Sequence, residues 1–279
     1  MQIREIISAD LPAVAALLVE GFPARTPAYW DRALAILSAR QVIEGYPQFG
    51  FLLEINERPE GVMLLLSSQI GGIVRSNLSS WYVREAHRKY ATFLFKRTIQ
   101  RKGGVYLNLS PSPAVLPIVE AFGFRSYTQG TLLIDARSAL SGGGGTRVTD
   151  LTAAGLAALP PGETRALVES HLARGCSGLA VQDNQGTMAA LYRIKRLKRI
   201  IPAARFIAGD PARLMAAAGP LMRALARRGV PLALIDAPAD LEPPAGMRVL
   251  AGRERRFSKG APPPEPGDLF ETEIALFGP

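Results

Sequence analysis

Cysteine, histidine and tryptophan are nearly absent from this chain. It has one cysteine (Cys176), two histidines (His87, His171) and two tryptophans (Trp30, Trp81) in 279 residues. One cysteine excludes an internal disulfide framework and suits a reducing compartment, so a cytoplasmic protein is expected. With two histidines far apart, no His/Cys/Asp spacing suggests a metal site. No apolar run approaches the ~20 residues that span a bilayer, so no membrane partner is expected. Met1–Ile7 alternates like a strand and lacks the apolar core of a signal peptide. No Gly-x-Ser-x-Gly elbow or paired histidine accompanies Ser79 and Ser80, which argues against a serine nucleophile.

A large apolar fraction, 48%, and an excess of 33 Lys/Arg over 24 Asp/Glu are present instead. The first can fill real cores. The second is spread over both halves and suits either a polyphosphate ligand or nucleic acid. The basic clusters Lys195–Arg199 and Arg253–Arg256 read as solvated faces, and no aromatic-rich RNA motif accompanies them. Nucleic acid is therefore not the expected partner.

The segment Leu78–Phe124 carries the most information. Leu78–Val83 is rich in aromatic and β-prone residues, and Arg84–Tyr90 is a polar, basic turn. A helical face follows through Ala91, Leu94, Phe95, Thr98 and Ile99, ending before Gly103-Gly104. Val105–Leu109 is a second strand, and Pro111–Ala121 a short helix closed by Gly123. A basic turn feeding a helix start is suited to an anion, because free amides and the helix dipole converge there.

Upstream, Ile3–Ile7 reads as a strand and Ser8-Ala9-Asp10 as a helix start. A second helix begins near Pro27, and strands 49–55 and 61–67 flank the turn 56–60. Tyr127–Ile134 closes this half. Ser138–Gly145 has linker composition. The order of elements then partly repeats: strand 147–151, helix 164–172, strands 177–182 and 187–193, strand 203–208, one helix from Asp210-Pro211 to Arg228, and strand 230–235. Leu269–Phe277 alternates like a closing strand.

Asn77–Val83, then His87-Arg88-Lys89-Tyr90-Ala91, then Asn108-Leu109-Ser110-Pro111-Ser112-Pro113 resemble a bacterial subgroup of the GNAT (acyl-CoA N-acyltransferase) superfamily. The likeness covers about Met1 to Asp135. It implies an α/β (α+β) chain of two GNAT-like domains, each a mixed, mostly antiparallel sheet flanked by helices. The expected divisions are 1–137, a Gly-rich linker at 138–145, and a degenerate domain at 146–279, whose Asp210 would repel phosphate. In the superfamily, a V-shaped opening between two strands takes the pantetheine arm of acetyl-CoA, and the turn before the helix takes the diphosphate.

Carried onto this chain, the resemblance implies transfer of an acetyl group from acetyl-CoA, as cosubstrate, to a small-molecule or peptide amine, with a homodimer as the candidate assembly. Tyr82, Val83, Arg84, Arg88, Lys89, Tyr90, Ala91 and Thr92 would hold the cofactor. Phe22, Arg25, Tyr29, Trp30 and Trp81 would line the acceptor. Glu20 is the candidate base, and Asn108 and Ser110 are candidates to hydrogen-bond a reacting group. Three positions depart from the superfamily pattern. Ala91 replaces a glycine, Phe93 a small residue, and Val119 the tyrosine that protonates the leaving thiolate. Phe93 and Val119 keep a second reading open: a non-catalytic GNAT-like protein that binds a metabolite or another protein.

Overall fold

Short local signals set most element boundaries. The structure, a computed structural model, describes residues 1–140, 145–243 and 247–278. In chain order the elements are β1 (Gln2–Glu5), α1 (Leu11–Gly21), α2 (Pro27–Ser38), β2 (Gly50–Ile55), β3 (Arg58–Ile70), β4 (Ile73–Val83), α3 (Ala91–Thr98), β5 (Val105–Asn108), α4 (Leu116–Ala121) and β6 (Arg125–Ser126). Then come β7 (Thr128–Asp135), β8 (Arg147–Asp150), α5 (Ala153–Ala157), α6 (Glu163–Ala173), β9 (Ser177–Asp183), β10 (Gly186–Leu197), β11 (Ile201–Ala208), α7 (Pro211–Ala216) and α8 (Ala218–Ala226). The last are β12 (Leu232–Pro238), β13 (Arg248–Ala251), β14 (Phe257–Lys259) and α9 (Glu273–Leu276).

These form two compact units, one of Met1–Arg125, Phe257–Pro263 and Glu271–Phe277, the other of Ser126–Arg256 and Pro264–Phe270. The sheet of the first unit has the order β1-β2-β3-β4-β5-β14-β6, and that of the second β13-β7-β12-β11-β10-β9-β8. Each is mixed. β4 and β5 run parallel, as do β11 and β12, while β1/β2, β2/β3, β3/β4, β8/β9, β9/β10 and β10/β11 are antiparallel. The two-domain α/β architecture expected from the sequence is present.

In the first unit, α1 and α2 cover one sheet face, where Val14, Leu17, Leu18, Trp30, Leu34 and Leu37 meet Leu52, Leu64 and Leu66. On the opposite face, Leu94, Phe95, Val119 and Phe124 meet Leu53, Leu65, Leu78 and Tyr106. Each buried aliphatic side chain of this kind contributes roughly 1.5–3 kcal/mol. α2 starts where Thr26 accepts the Tyr29 N–H and Pro27 presets the first turn. Asn56 and Glu57, both at positive φ, make the β2–β3 connection a tight two-residue turn, shorter than the span 56–60 read from the sequence.

Several expectations change. β7 pairs with β12 and β13 and so belongs to the second sheet. Ala136–Leu140 forms a 3-10 helix whose Ala139 carbonyl accepts from Arg223, while residues 141–144 of the Gly-rich stretch lie outside those described. The helix from Asp210 is two helices, because the ring of Pro220 would clash with the carbonyl of Ala216 in a continuous one. Leu269–Phe277 is not a strand; its second part is α9, and Leu276 and Phe277 join the α1/α2 core. The cluster at Arg253–Arg256 is not a solvated face. Arg256 is buried, and Arg205 and Arg256 share the carboxylate of Asp236, with Glu254 beside them.

Candidate functional site

The site is built where β4 and β5 part. Their ladder runs from Arg75↔Val105 to Leu78↔Asn108, and β4 then continues to Val83 along β3 alone. Its register on β3 shifts between Val62 and Leu64, opposite a bulge at Ser80, which holds a positive φ. Beyond the bulge, Arg84 N–H donates to Glu60 O at 3.0 Å. Amides alternate sides along a strand, so the Val83 N–H points away from β3, into the opening. This leaves a strand edge able to accept an extended ligand arm.

The mouth of the opening is held by the chain's last segment. Asn77, buried on β4, donates through Nδ2 to Leu78 O (3.0 Å) and Leu107 O (3.5 Å). Its Oδ1 accepts the Glu273 N–H at 2.7 Å. Ser110, just past β5, donates from Oγ to Glu273 Oε1 at 2.7 Å. Arg40 ties the neighbouring Glu271 at 2.5 Å and also reaches Ser67 O. Sequence reasoning does not single out Asn77 or Glu273. Nothing local marks a partnership across 196 residues, although Asn77 opens the Asn77–Val83 motif.

The structure commits Glu20 elsewhere. Arg84 donates to its carboxylate (Nε–Oε2 2.9 Å) and Tyr82 OH donates to Oε1 at 2.8 Å. Arg84, and then Tyr82, hold the Glu20 carboxyl below its usual range, which makes it a weak base. Burial, then the bond to Glu20, pushes the Tyr82 phenol up. Arg84 also pairs with Glu60 at 3.3 Å, so two carboxylates balance its charge. Gly21, the last residue of α1, leaves no room for a side chain, since a Cβ there would sit 2.3 Å from the Tyr82 ring.

The remaining candidates divide between packing and surface. Trp30 is core, in contact with Phe22 (5.4 Å) and Tyr29 (5.0 Å), and Arg25 stacks over Tyr29 at 4.6 Å. Trp81 packs on Phe95 at 5.1 Å, on the α3 side of the sheet, whereas Phe22, Tyr29 and Trp30 pack on the α1/α2 side. Asn108 is laddered on both sides, to Leu78 and to Phe257. Val119 is fully buried and offers no acid.

The turn expected to receive a diphosphate is a 3-10 helix, Glu85–Tyr90. His87 N–H donates to Arg84 O (2.9 Å), and Ala91 N–H to Arg88 O. The turn closes on itself and spends these amides internally. Arg88 is exposed beside Glu85 (4.0 Å), Lys89 lies over the Tyr90 ring (5.1 Å), and Thr92 faces solvent. Phe93 neither fills the turn nor packs inward; it is 54% exposed. The strand edge fits a pantetheine arm; the turn does not fit a diphosphate cradle.

In the second unit the corresponding helix, α7, begins with Asp210, whose Oδ1 accepts the Ala212 N–H at 2.8 Å. A cavity of about 510 Å³ lies beside it, lined by Leu159, Val168, Met188, Phe270 and Arg213 among others. Arg213 is itself bound to Asp183 at 2.8 Å. Cys176 is buried, which pushes its thiol up. Among the described residues, no cluster of His, Cys, Asp and Glu could hold a metal ion, and no helix is long and apolar enough to cross a membrane.

No family model matches the sequence, and no curated protein does. Solved structures do match, with low identity. A GCN5-related N-acetyltransferase from Anabaena variabilis ATCC 29413 matches at 10% identity and TM-score 0.57, over 92% of this chain and 72% of that one. A putative acetyltransferase from Pyrococcus horikoshii matches at 13% and 0.54, over 97% and 92%. Eis1 from Mycobacterium abscessus matches at 17% and 0.50, over 92% and 72%. The fold of this chain is that of the GCN5-related N-acetyltransferases.

Proposed function

We propose that the first unit transfers an acyl group from a pantetheine thioester such as acetyl-CoA to an amine. The observation that carries this reading is the unpaired edge of β4 beyond Leu78, with the Val83 N–H turned into the opening. An arm with its own amides can lie along such an edge as an added strand. A strand N–H aimed at the thioester oxygen stabilises the charge that develops there. The likeness in fold to N-acetyltransferases supports the same reading.

Glu273 is the carboxylate placed to act on the acceptor. Its Oε1 faces Ser110 at the end of β5, on the solvent side of the mouth. It holds the ammonium and takes one proton, and the neutral nitrogen attacks the thioester carbon. The C–N bond forms and the C–S bond breaks. The nitrogen's second proton ends on the departing thiolate, and the proton on Glu273 passes to water. Most of the acceleration comes from holding the two reactants together.

The closed turn at Glu85–Tyr90 favours the competing non-catalytic reading, since it offers a diphosphate little. Thiol release separates the two. The full chain with acetyl-CoA or acetyl-pantetheine and a mixture of primary amines is expected to release thiol only when an amine is present. Neither release nor binding at millimolar donor would contradict acyl transfer and leave the non-catalytic reading.

A further inference from the structure

Phe93 stands on the outer face of α3, 54% exposed, while its neighbours Leu94 and Phe95 are fully buried. Around it the sequence places Arg88, Lys89, Lys96 and Arg97, all exposed. The sole acidic side chain between Arg84 and Lys102 is Glu85, which lies 4.0 Å from Arg88. A ring left in water beside four exposed cations is complementary to an acidic surface that carries an apolar residue.

The same segment lacks what a free nucleotide donor needs. Its turn bonds its own amides, and Arg84 is neutralised by Glu20 and Glu60. The strand edge for the arm remains. An opening that fits the arm but not the nucleotide head, beside a basic and aromatic patch, points to a donor whose arm is fixed to something else.

We propose that the acyl donor is presented by an acidic carrier protein. The thioester would hang on a phosphopantetheine arm joined to that protein by one phosphate. Arg88, Lys89 and Lys96 meet the carrier's acidic surface, and Phe93 meets an apolar residue on it. The proposal rests on the pantetheine-thioester reading above. A second copy of this chain is disfavoured as occupant, because its net charge of +9 would bring like charges together.

Three donors test it on the full chain: an acidic acyl carrier protein charged with an acetyl group, acetyl-CoA, and acetyl-pantetheine. The carrier is expected to exceed acetyl-CoA in kcat/KM by about tenfold at low salt, with the advantage falling as salt rises. Phe93→Asp and Lys96→Glu should each lower the carrier-to-pantetheine activity ratio, Phe93→Asp by about tenfold or more. Both side chains are exposed, so melting temperatures should stay close to that of the parent protein. Acetyl-CoA equal to or better than the carrier overturns the proposal, as does a ratio unmoved by Phe93→Asp. Self-association through the patch, abolished by Phe93→Asp while the carrier fails to bind, overturns it in favour of a second copy. If none of the three donors is consumed and acetyl-pantetheine does not bind, the acyl-transfer reading fails as well.

Discussion

Asn77 Oδ1 accepts the backbone N–H of Glu273 at 2.7 Å, and the same amide group donates to the carbonyls of Leu78 and Leu107. One buried side chain thus ties the parting point of β4 and β5 to the segment that carries Glu273. Asn77→Leu would strand the Glu273 N–H and should cost about 1–3 kcal/mol. Activity should fall further than that loss of stability explains. Asn77→Asp keeps an acceptor for Glu273 and should recover part of the rate. Melting curves beside kcat measurements check both.

Glu20 and Glu273 are both carboxylates near the opening, but their surroundings differ. Glu20 is paired with Arg84 and Tyr82 and held below the usual range, which weakens it as a base. Glu20→Gln should leave the pH–rate profile unmoved. Glu273→Gln should lower kcat by about 10²–10⁴-fold. On stability, the sign follows from a depressed folded pKa. The Glu20–Arg84 pair contributes fully above the ordinary carboxylate pKa and is lost as pH falls through the depressed value. Both groups are well exposed, so the effect should be under ~1 kcal/mol. Thermal melts of the parent protein and Glu20→Gln should therefore converge toward acid pH.

Ser80 sits at positive φ, in the left-handed region where glycine is relaxed and a β-branched residue is strained. Ser80→Gly should be neutral or stabilising by up to ~1 kcal/mol and keep activity. Ser80→Val should destabilise by about 1–3 kcal/mol or flatten the bulge, closing the opening with loss of activity. Denaturant melts and turnover of the two variants distinguish these outcomes.

Asp236 is the buried carboxylate that Arg205 and Arg256 share. Removing one member of a buried charge cluster leaves the others uncompensated. Asp236→Asn should destabilise the second unit by about 3–5 kcal/mol. Glu169→Gln, on the exposed Arg165 pair of α6, should change little. Equilibrium unfolding of both variants provides the comparison.

Local signals make much of this fold legible in the sequence. Thr26-Pro27 marks a helix start, the apolar run at Val105–Leu109 marks a buried strand, and the order of elements points to two similar domains. Long-range partnerships are not visible there. The short strands β13 and β14 owe their state to neighbours far away in sequence, as β14 does to β5. Leu269–Phe277 alternates on paper, yet Ile274–Phe277 are all buried, which suits a packed helical turn better than a half-exposed strand. The basic turn is legible in composition but not in conformation. Residues 85–90 close i→i−3 bonds and present side chains, which composition alone does not show.

Amide hydrogen exchange along Ser79–Val83, with and without saturating acetyl-pantetheine, addresses the strand edge itself. An arm laid along β4 must take up the Val83 N–H, so its exchange should slow while amides facing β3 stay as they were. Unchanged exchange at Val83, with donor present at millimolar concentration, would contradict binding of a pantetheine thioester in this opening.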